Sequence, residues 1–442
     1  MEKKNKVSTR NPYLVIISAF LVFLTIGTLL LYMPLSQKQP TSFVDCLFIA
    51  TSAFTVTGLA TIDITANFNY IGYIIIMILV QAGGLGIITL AMIVFIMLGK
   101  KVGFKGRSLA TEALNQQNTG GIIRLVLILF SVSLIFESIG ALLLCLEWIP
   151  QLGFKRGLFH SVFTAVSAFN NAGFALHSDN LVQFRTNPVI NFIITSLIII
   201  GGIGFTVILD LYKTKHFKKL RVHTKVMLFS TLIINFCATL IIFILEYGNK
   251  ATLGGHSTFD QFQMAYFQAI TTRTAGFNTI DIGALTTPTI LIVMLLMFIG
   301  GGPTSTAGGI KLTTTVVIIF GTLSFIKQRA HLSLFKRTID PRFLFKSLAI
   351  AVLSSGFCFT IVFCLVLAEP NLPFLPLMFE VISAFGTVGL TMGITGKLSV
   401  IGKLLIILMM MIGKVGVLTI VLTFSRPNKQ LYSYPKEDIL TG

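Results

Sequence analysis

The sequence predicts an all-α integral membrane protein: four pseudo-symmetric repeats of helix, pore helix and helix around a central pore, with eight membrane-spanning helices. Three observations predict it. Only 11% of the 442 residues are charged, against about 25% in a typical soluble chain, and the mean hydropathy is +0.87. Eight apolar stretches reach the length of about 20 residues that a bilayer span needs: 13–33, 69–98, 122–146, 188–212, 226–246, 288–320, 345–368 and 399–424. A pair of glycine signals also recurs four times in register.

The elements follow in order. The first stretch trails Lys3, Lys4, Lys6 and Arg10. It is longer than the 7–15 residues of a signal-peptide core, so it reads as a retained first helix. Between the two stretches of each repeat lies a semi-apolar segment too short to cross, which fits a re-entrant pore helix buried in protein. The repeats divide at 1–121, 122–225, 226–344 and 345–442, the third carrying a loop break and the fourth a tail.

Charge sets the topology. Of 34 Lys and Arg, 23 fall in 1–12, 99–121, 213–225, 321–344, Lys346 and 425–442, while 7 fall in the alternate connections. The positive-inside rule therefore puts both termini in the cytoplasm. It also accounts for the net charge of +18 without nucleic acid, because the basic residues sit in short gaps between apolar runs rather than on a soluble body. The five cysteines form no CxxC pair and read as small hydrophobic residues.

The repeat is carried by Gly58, Gly173, Gly276 and Gly389, spaced by 115, 103 and 113 residues. Their loops read Thr55-Val56-Thr57-Gly58, Asn170-Asn171-Ala172-Gly173, Arg273-Thr274-Ala275-Gly276 and Gly386-Thr387-Val388-Gly389. Ten residues earlier stand Phe48, Phe163, Tyr266 and Phe379. Six earlier stand Ser52, Ser167 and Ser383, with Ile270 as the exception. A second glycine cluster begins at Gly83, Gly201, Gly300 and Gly413, which lie 25, 28, 24 and 24 residues after the loop glycines. Close helix packing explains one glycine-rich cluster, but not two in register.

A cation crossing hydrocarbon needs its hydration shell replaced, and rings of backbone carbonyls do this. Glycine admits the backbone angles that turn carbonyls inward, and the negative C-terminal end of each pore helix would face the axis. The pattern resembles the Trk/Ktr/HKT superfamily of potassium transporters, over nearly the whole chain. Eight spans with no extra N-terminal pair look like the membrane subunit of the bacterial Ktr system. The resemblance implies a K+ selectivity filter from Thr55, Val56, Thr57, Gly58, Asn171, Ala172, Gly173, Thr274, Ala275, Gly276, Thr387, Val388 and Gly389. Relatives with serine in the first repeat admit sodium more readily, so Gly58 implies potassium preference.

In the third repeat the second cluster runs on as Gly300-Gly301-Gly302-Pro303-Thr304-Ser305-Thr306-Ala307-Gly308-Gly309. Such a run does not hold a helix. By resemblance it is the intramembrane gate loop, the alternative being a passive kink. It is no phosphate-binding loop, since Lys311 is followed by Leu312 and the flanks are apolar helices. Lys414 stands where the family has an arginine that contacts this loop, and is expected to find acceptors among 300–309. Arg273 is expected to face away from the pore toward a carboxylate or carbonyls. Asp63, Asp179 and Asp281 follow their loop glycines by five or six residues, with Thr395 in the fourth repeat. They either ring the mouth or cap the next segment. The six histidines show no metal-ligand spacing and read as local hydrogen-bonders.

A membrane-embedded enzyme is the competing class, but Glu137 and Asp210 are isolated in sequence and no catalytic pair recurs. A sodium- or ammonium-permeable pore shares the same scaffold. No cofactor is expected in this chain. The resemblance implies a bacterial plasma-membrane homodimer, its tail at the dimer interface, on a cytosolic octameric ring that binds ATP or ADP, with sodium as an activating ion. The basic segments 99–107, 213–225 and 327–346 are candidate docking surfaces, or topology determinants facing anionic lipid.

Overall fold

The computed structural model describes residues 12–86, 121–329 and 331–424, with Thr89, Met92, Pro435 and Glu437. Most of 87–98, the basic segment 99–107 and most of the tail lie outside the described residues.

The chain is mostly helical. Four long helices, α1 (Pro12–Tyr32), α5 (Ile122–Leu152), α9 (Val222–Glu246) and α13 (Pro341–Ala368), are each long and apolar enough to cross a membrane. Helices α9 and α13 start four residues ahead of the stretches read at 226 and 345. The long helices present apolar side chains outward, among them Leu142, Leu146, Phe236 and Phe359. Water would penalise that surface, and hydrocarbon accommodates it.

Four shorter helices are inside: α2 (Phe43–Thr55), α6 (Phe154–Phe169), α10 (Thr258–Thr271) and α14 (Phe374–Gly386). Their aromatic and small residues are buried, with Phe48, Phe54, Phe163, Phe169, Phe267, Phe379 and Phe385 at 1% exposure or less. Ser42 and Ser257 start α2 and α10 by the same device. Each accepts from the amide of an aspartate three residues on and donates to its carboxylate.

The second apolar stretches differ from expectation. The sequence suggested a break in the third only, but each one described is interrupted. Helix α4 (Tyr70–Leu85) ends at Gly86, α7 (Pro188–Ile203) bends by 91° into α8 (Phe205–Lys213) across Gly204, and α15 (Val400–Val415) gives way to α16 (Val417–Phe424) across Gly416. These glycines have φ of +82°, +105° and +90°, which end a right-handed helix. Helices α11 (Thr287–Phe298) and α12 (Leu312–Ile326) flank the third break. The all-α expectation needs one small correction within 327–346. Strands β1 (Ser333–Leu334) and β2 (Arg337–Thr338) form a hairpin whose turn residues, Phe335 and Lys336, are left-handed. The remaining short helix, α3 (Ile64–Asn67), is capped by Asp63.

Packing closes the elements into a ring. Helix α4 packs on α6, α7 on α10, α11 on α14, and α15 returns to α2. The outer ends are tied by hooks that the sequence reading missed. Glu147 accepts from Asn187, Glu246 from Thr286 and Glu369 from Ser399, and the partners are the N-caps of α7, α11 and α15 respectively. At α4 the N-cap Asn69 donates instead to the carbonyl of Leu35. At the joint from α15 to α2 Lys403 pairs with Asp45 at 2.7 Å. Both side chains are about 85% covered (15% and 14% exposed), so removing one partner strands the other charge. Lys403→Met should lower the stability of the detergent-solubilised protein by up to about 3 kcal/mol. Adding Asp45→Asn should recover part of that loss. An unchanged melting temperature in Lys403→Met would remove the clasp.

Candidate ion-binding site

The four glycine loops meet at the centre of the ring. Each follows an inner short helix and makes the same turn. Val56, Asn171, Thr274 and Thr387 are left-handed, with φ of +59°, +59°, +70° and +49°. Two residues on, Gly58, Gly173, Gly276 and Gly389 have φ of +95°, +69°, +76° and +94°. Positive φ at alternate residues turns successive carbonyls to one side, where an ordinary strand would alternate them. The amides turn the other way. Those of Thr57, Ala172 and Val388 donate to the carbonyls of Ser52, Ser167 and Ser383, and that of Ala275 to Thr271. Ser52 and Ser383 also accept from the amides of Gly58 and Gly389 through their hydroxyls. This accounts for the serine six residues before the glycine in the first and fourth loops, while the buried Ser167 hydroxyl of the second makes no such bond.

The ring is closed loop to loop. A Cβ on Gly58 would lie 2.5 Å from the Ala172 carbonyl oxygen, and one on Gly173 would lie 2.8 Å from that of Ala275. On Gly276 it would strike the Val388 oxygen, and on Gly389 the Thr57 oxygen. Each glycine thus faces the carbonyl just before the glycine of the next loop, in the cyclic order one, two, three, four, one. No hydrogen bond among the described residues uses the carbonyls of Thr57, Ala172, Ala275 or Val388. Four oxygens without a hydrogen-bond donor thus face one axis, the arrangement that backbone carbonyls take where they replace a cation's hydration shell.

The second glycine clusters serve this ring. A Cβ on Gly83, Gly201 or Gly413 would strike the carbonyl of Phe54, Phe169 or Phe385, near the C-terminus of its short helix. In the first, second and fourth cases the registered pair of glycines therefore records two backbones in contact, whereas Gly300 abuts Gly308 of its own loop.

On one side the ring opens into a cavity of about 550 Å3, lined by the four glycines with Asp63, Asp179, Asp281 and Thr391. Each aspartate also caps its own segment, accepting from the amides of Thr65, Gln183 and Gly283 respectively. In the fourth loop Thr395 occupies that place, and a carboxylate reaches it from behind. Glu380, fully buried on α14, accepts from Thr391 and Thr395. Sequence reasoning missed Glu380 because it precedes its glycine rather than following it.

On the other side lies the 300–311 loop. Its neck is closed by Gly300 N–H to the Ile310 carbonyl and by Leu312 N–H to that of Gly301, at 2.8 and 2.9 Å. The loop is stapled to the break between α7 and α8, where Gly302 N–H donates to Gly202 and Phe205 N–H to Thr304. Gly308 and Gly309 press on Thr387 and Gly386 at the base of the fourth glycine loop. Ser305 Oγ donates to the Gly302 carbonyl. Two ammonium groups hold consecutive carbonyls: Lys414 Nζ donates to Thr306 at 2.7 Å and Lys311 Nζ to Ala307 at 2.6 Å. Lys414 is singled out by sequence, but Lys311 is assigned no such role there. Its four-residue reach back into the loop was the available signal.

Arg273 is 8% exposed and makes long contacts of 3.4 Å with Asn235 Oδ1 and the Gly300 carbonyl. No carboxylate pairs with it among the described residues. Glu137 is not isolated either. Its carboxylate accepts from Ser133 and Asn170, with Gln81 completing the cluster beside the second loop.

The chain is 46% identical to Ktr system potassium uptake protein B of Bacillus subtilis, over 98% of this chain and 97% of that protein. It is 41% identical to the protein of the same name from Vibrio alginolyticus, over 100% and 97%. It is 35% identical to potassium/sodium uptake protein NtpJ of Enterococcus hirae, over 99% of each. The crystal structure of the potassium transporter TrkH from Vibrio parahaemolyticus shares the fold, with a TM-score of 0.76 over 96% of this chain and 87% of that one at 19% identity. The family model for TrkH, cation transport protein, matches residues 1–434, and the chain belongs to that family of transport proteins, not to an enzyme family.

Proposed function

We propose that this chain takes potassium up across a bacterial plasma membrane through the ring of four glycine loops. The observation that carries the reading is the closed cycle in which each glycine abuts the free carbonyl of the next loop. Four repeats, bounded at 1–121, 122–225, 226–344 and 345–442, surround the pore. Eight spans cross the membrane, and both termini are cytoplasmic. The lysine-held 300–311 loop is the gate, with Gly300, Gly301, Gly302, Thr304, Ser305, Thr306, Gly308 and Gly309 forming it and Lys414 latching it. The printed names of the two Ktr relatives support potassium as the cargo and a partner in a multi-subunit system. In this reading a homodimer sits on a cytosolic ring that binds ATP or ADP and relays its state to the loop, and sodium acts as an activating ion. The relative named as a potassium/sodium uptake protein supports the second reading, a pore that also passes sodium.

Rubidium uptake into liposomes, competed by potassium or sodium, tests the function. Competition by potassium at lower concentration than sodium is the expected result. Equal competition would favour the second reading, and flux no greater than in empty liposomes would overturn both.

A further inference from the structure

We propose that His160 and His177 form a two-histidine site for a divalent transition-metal ion of the zinc, copper and nickel class, and that metal held there slows cation access to the ring. The two residues lie 17 positions apart, His160 on α6 and His177 four residues after Gly173. The fold brings His160 Nδ1 to 3.3 Å from His177 Nε2. Two imidazole nitrogens bound at 2.0–2.1 Å to one tetrahedral ion stand about 3.3 Å apart, so the pair already has the spacing of two ligands. To share an ion, each ring would turn its lone pair from the other nitrogen toward a common point.

The surroundings fit a metal ligand. His177 Nδ1 lies 2.6 Å from the side-chain amide of Gln183. Turned so that its oxygen faces the ring, that amide accepts the Nδ1 proton and leaves Nε2 free to ligate, the usual outer support of a metal-bound histidine. Trp148 and Phe184 wall the His177 ring at centroid distances of 5.8 and 5.2 Å and limit its tilt. His177 also lines the 550 Å3 cavity with Asp63, Asp179 and Asp281, whose carboxylates concentrate divalent cations. No group of three or more His, Cys, Asp or Glu is placed to hold a metal among the described residues. Water would therefore complete the coordination, which makes the site open and exchangeable rather than structural. A positive ion on the cavity wall repels an incoming monovalent cation.

The site stands on geometry alone, while its effect on flux rests on the proposed pore. Copper(II) titration of the purified, tag-free full chain, followed by electron paramagnetic resonance, reads binding without transport. Wild type should show copper coordinated by two nitrogens. His160→Ala and His177→Ala should each weaken binding at least about tenfold, and Gln183→Ala by a smaller factor in the same direction. External zinc should slow rubidium uptake by wild type, and each histidine variant should need at least about tenfold more zinc. Copper affinity unchanged in both histidine variants, which would mean a plain N–H···N hydrogen bond, overturns the site. Binding that depends on both histidines while zinc leaves an active chain's flux untouched overturns the effect on access. A chain that binds copper through both histidines but never passes rubidium supports the site and counts against the pore.

Discussion

Gly58→Ser should cut potassium-over-sodium selectivity by about tenfold, a change of about 1.4 kcal/mol, in protein that still folds. Two effects combine. Gly58 has φ of +95°, where a residue with a Cβ is strained by about 1–3 kcal/mol. That Cβ would also lie 2.5 Å from the Ala172 oxygen, so one carbonyl of the ring must move. Discrimination between ions of similar size depends on the placement of those carbonyls. Gly153→Ser separates the two effects, because Gly153 also has positive φ (+77°) but nothing within 4 Å of its added Cβ. The selectivity loss should be absent there. Reversal potentials in bi-ionic potassium and sodium solutions give the measurement, and an unchanged value in Gly58→Ser would take Gly58 out of the filter.

Lys311→Ala with Lys414→Ala should raise unstimulated rubidium flux by at least about a hundredfold. A hydrogen bond from a charged group contributes about 1.5–3 kcal/mol, so losing both weakens the loop's hold by about 3–6 kcal/mol. The two ammonium groups grip adjacent carbonyls, Ala307 and Thr306, so one loss leaves the other contact in place. Lys414→Ala alone should therefore leak less than the pair, and Lys414→Arg should stay closed. Deleting 304–307 should mimic the double variant, because it removes both acceptors without touching the glycine ring. Flux in the double variant equal to wild type, without any cytosolic partner, would mean that the lysines do not restrain the loop. Lower uptake by a well-folded deletion would make the segment part of the conduction path.

The glycine registers were legible because glycine answers a backbone need. At Gly58 and its counterparts positive φ is combined with the next loop's carbonyl against the Cβ position, and at Gly83, Gly201 and Gly413 a short helix's carbonyl fills that position. Lys414 was legible because a cation inside an apolar run needs acceptors. Features built by side chains converging across variable spacing were not legible. The Glu147, Glu246 and Glu369 hooks reach their N-caps over 40, 40 and 30 residues, and the fourth joint uses a backbone carbonyl instead. His160 and His177 meet only because the second loop folds back beside α6. The breaks at Gly86, Gly204 and Gly416 were hidden because apolar sequence continues across them, and hydropathy does not report backbone angle. Arg273 was expected to seek a carboxylate or carbonyls, and it uses an amide oxygen and a carbonyl, which solvate a guanidinium without being identifiable in sequence.

If the four loops together bind the permeating ion, anomalous scattering from rubidium detects it most directly. Crystals grown in rubidium should show anomalous density on the axis between the carbonyls of Thr57, Ala172, Ala275 and Val388, with that density displaced by potassium. Rubidium ordered elsewhere in the chain, with none inside that ring, would contradict the account.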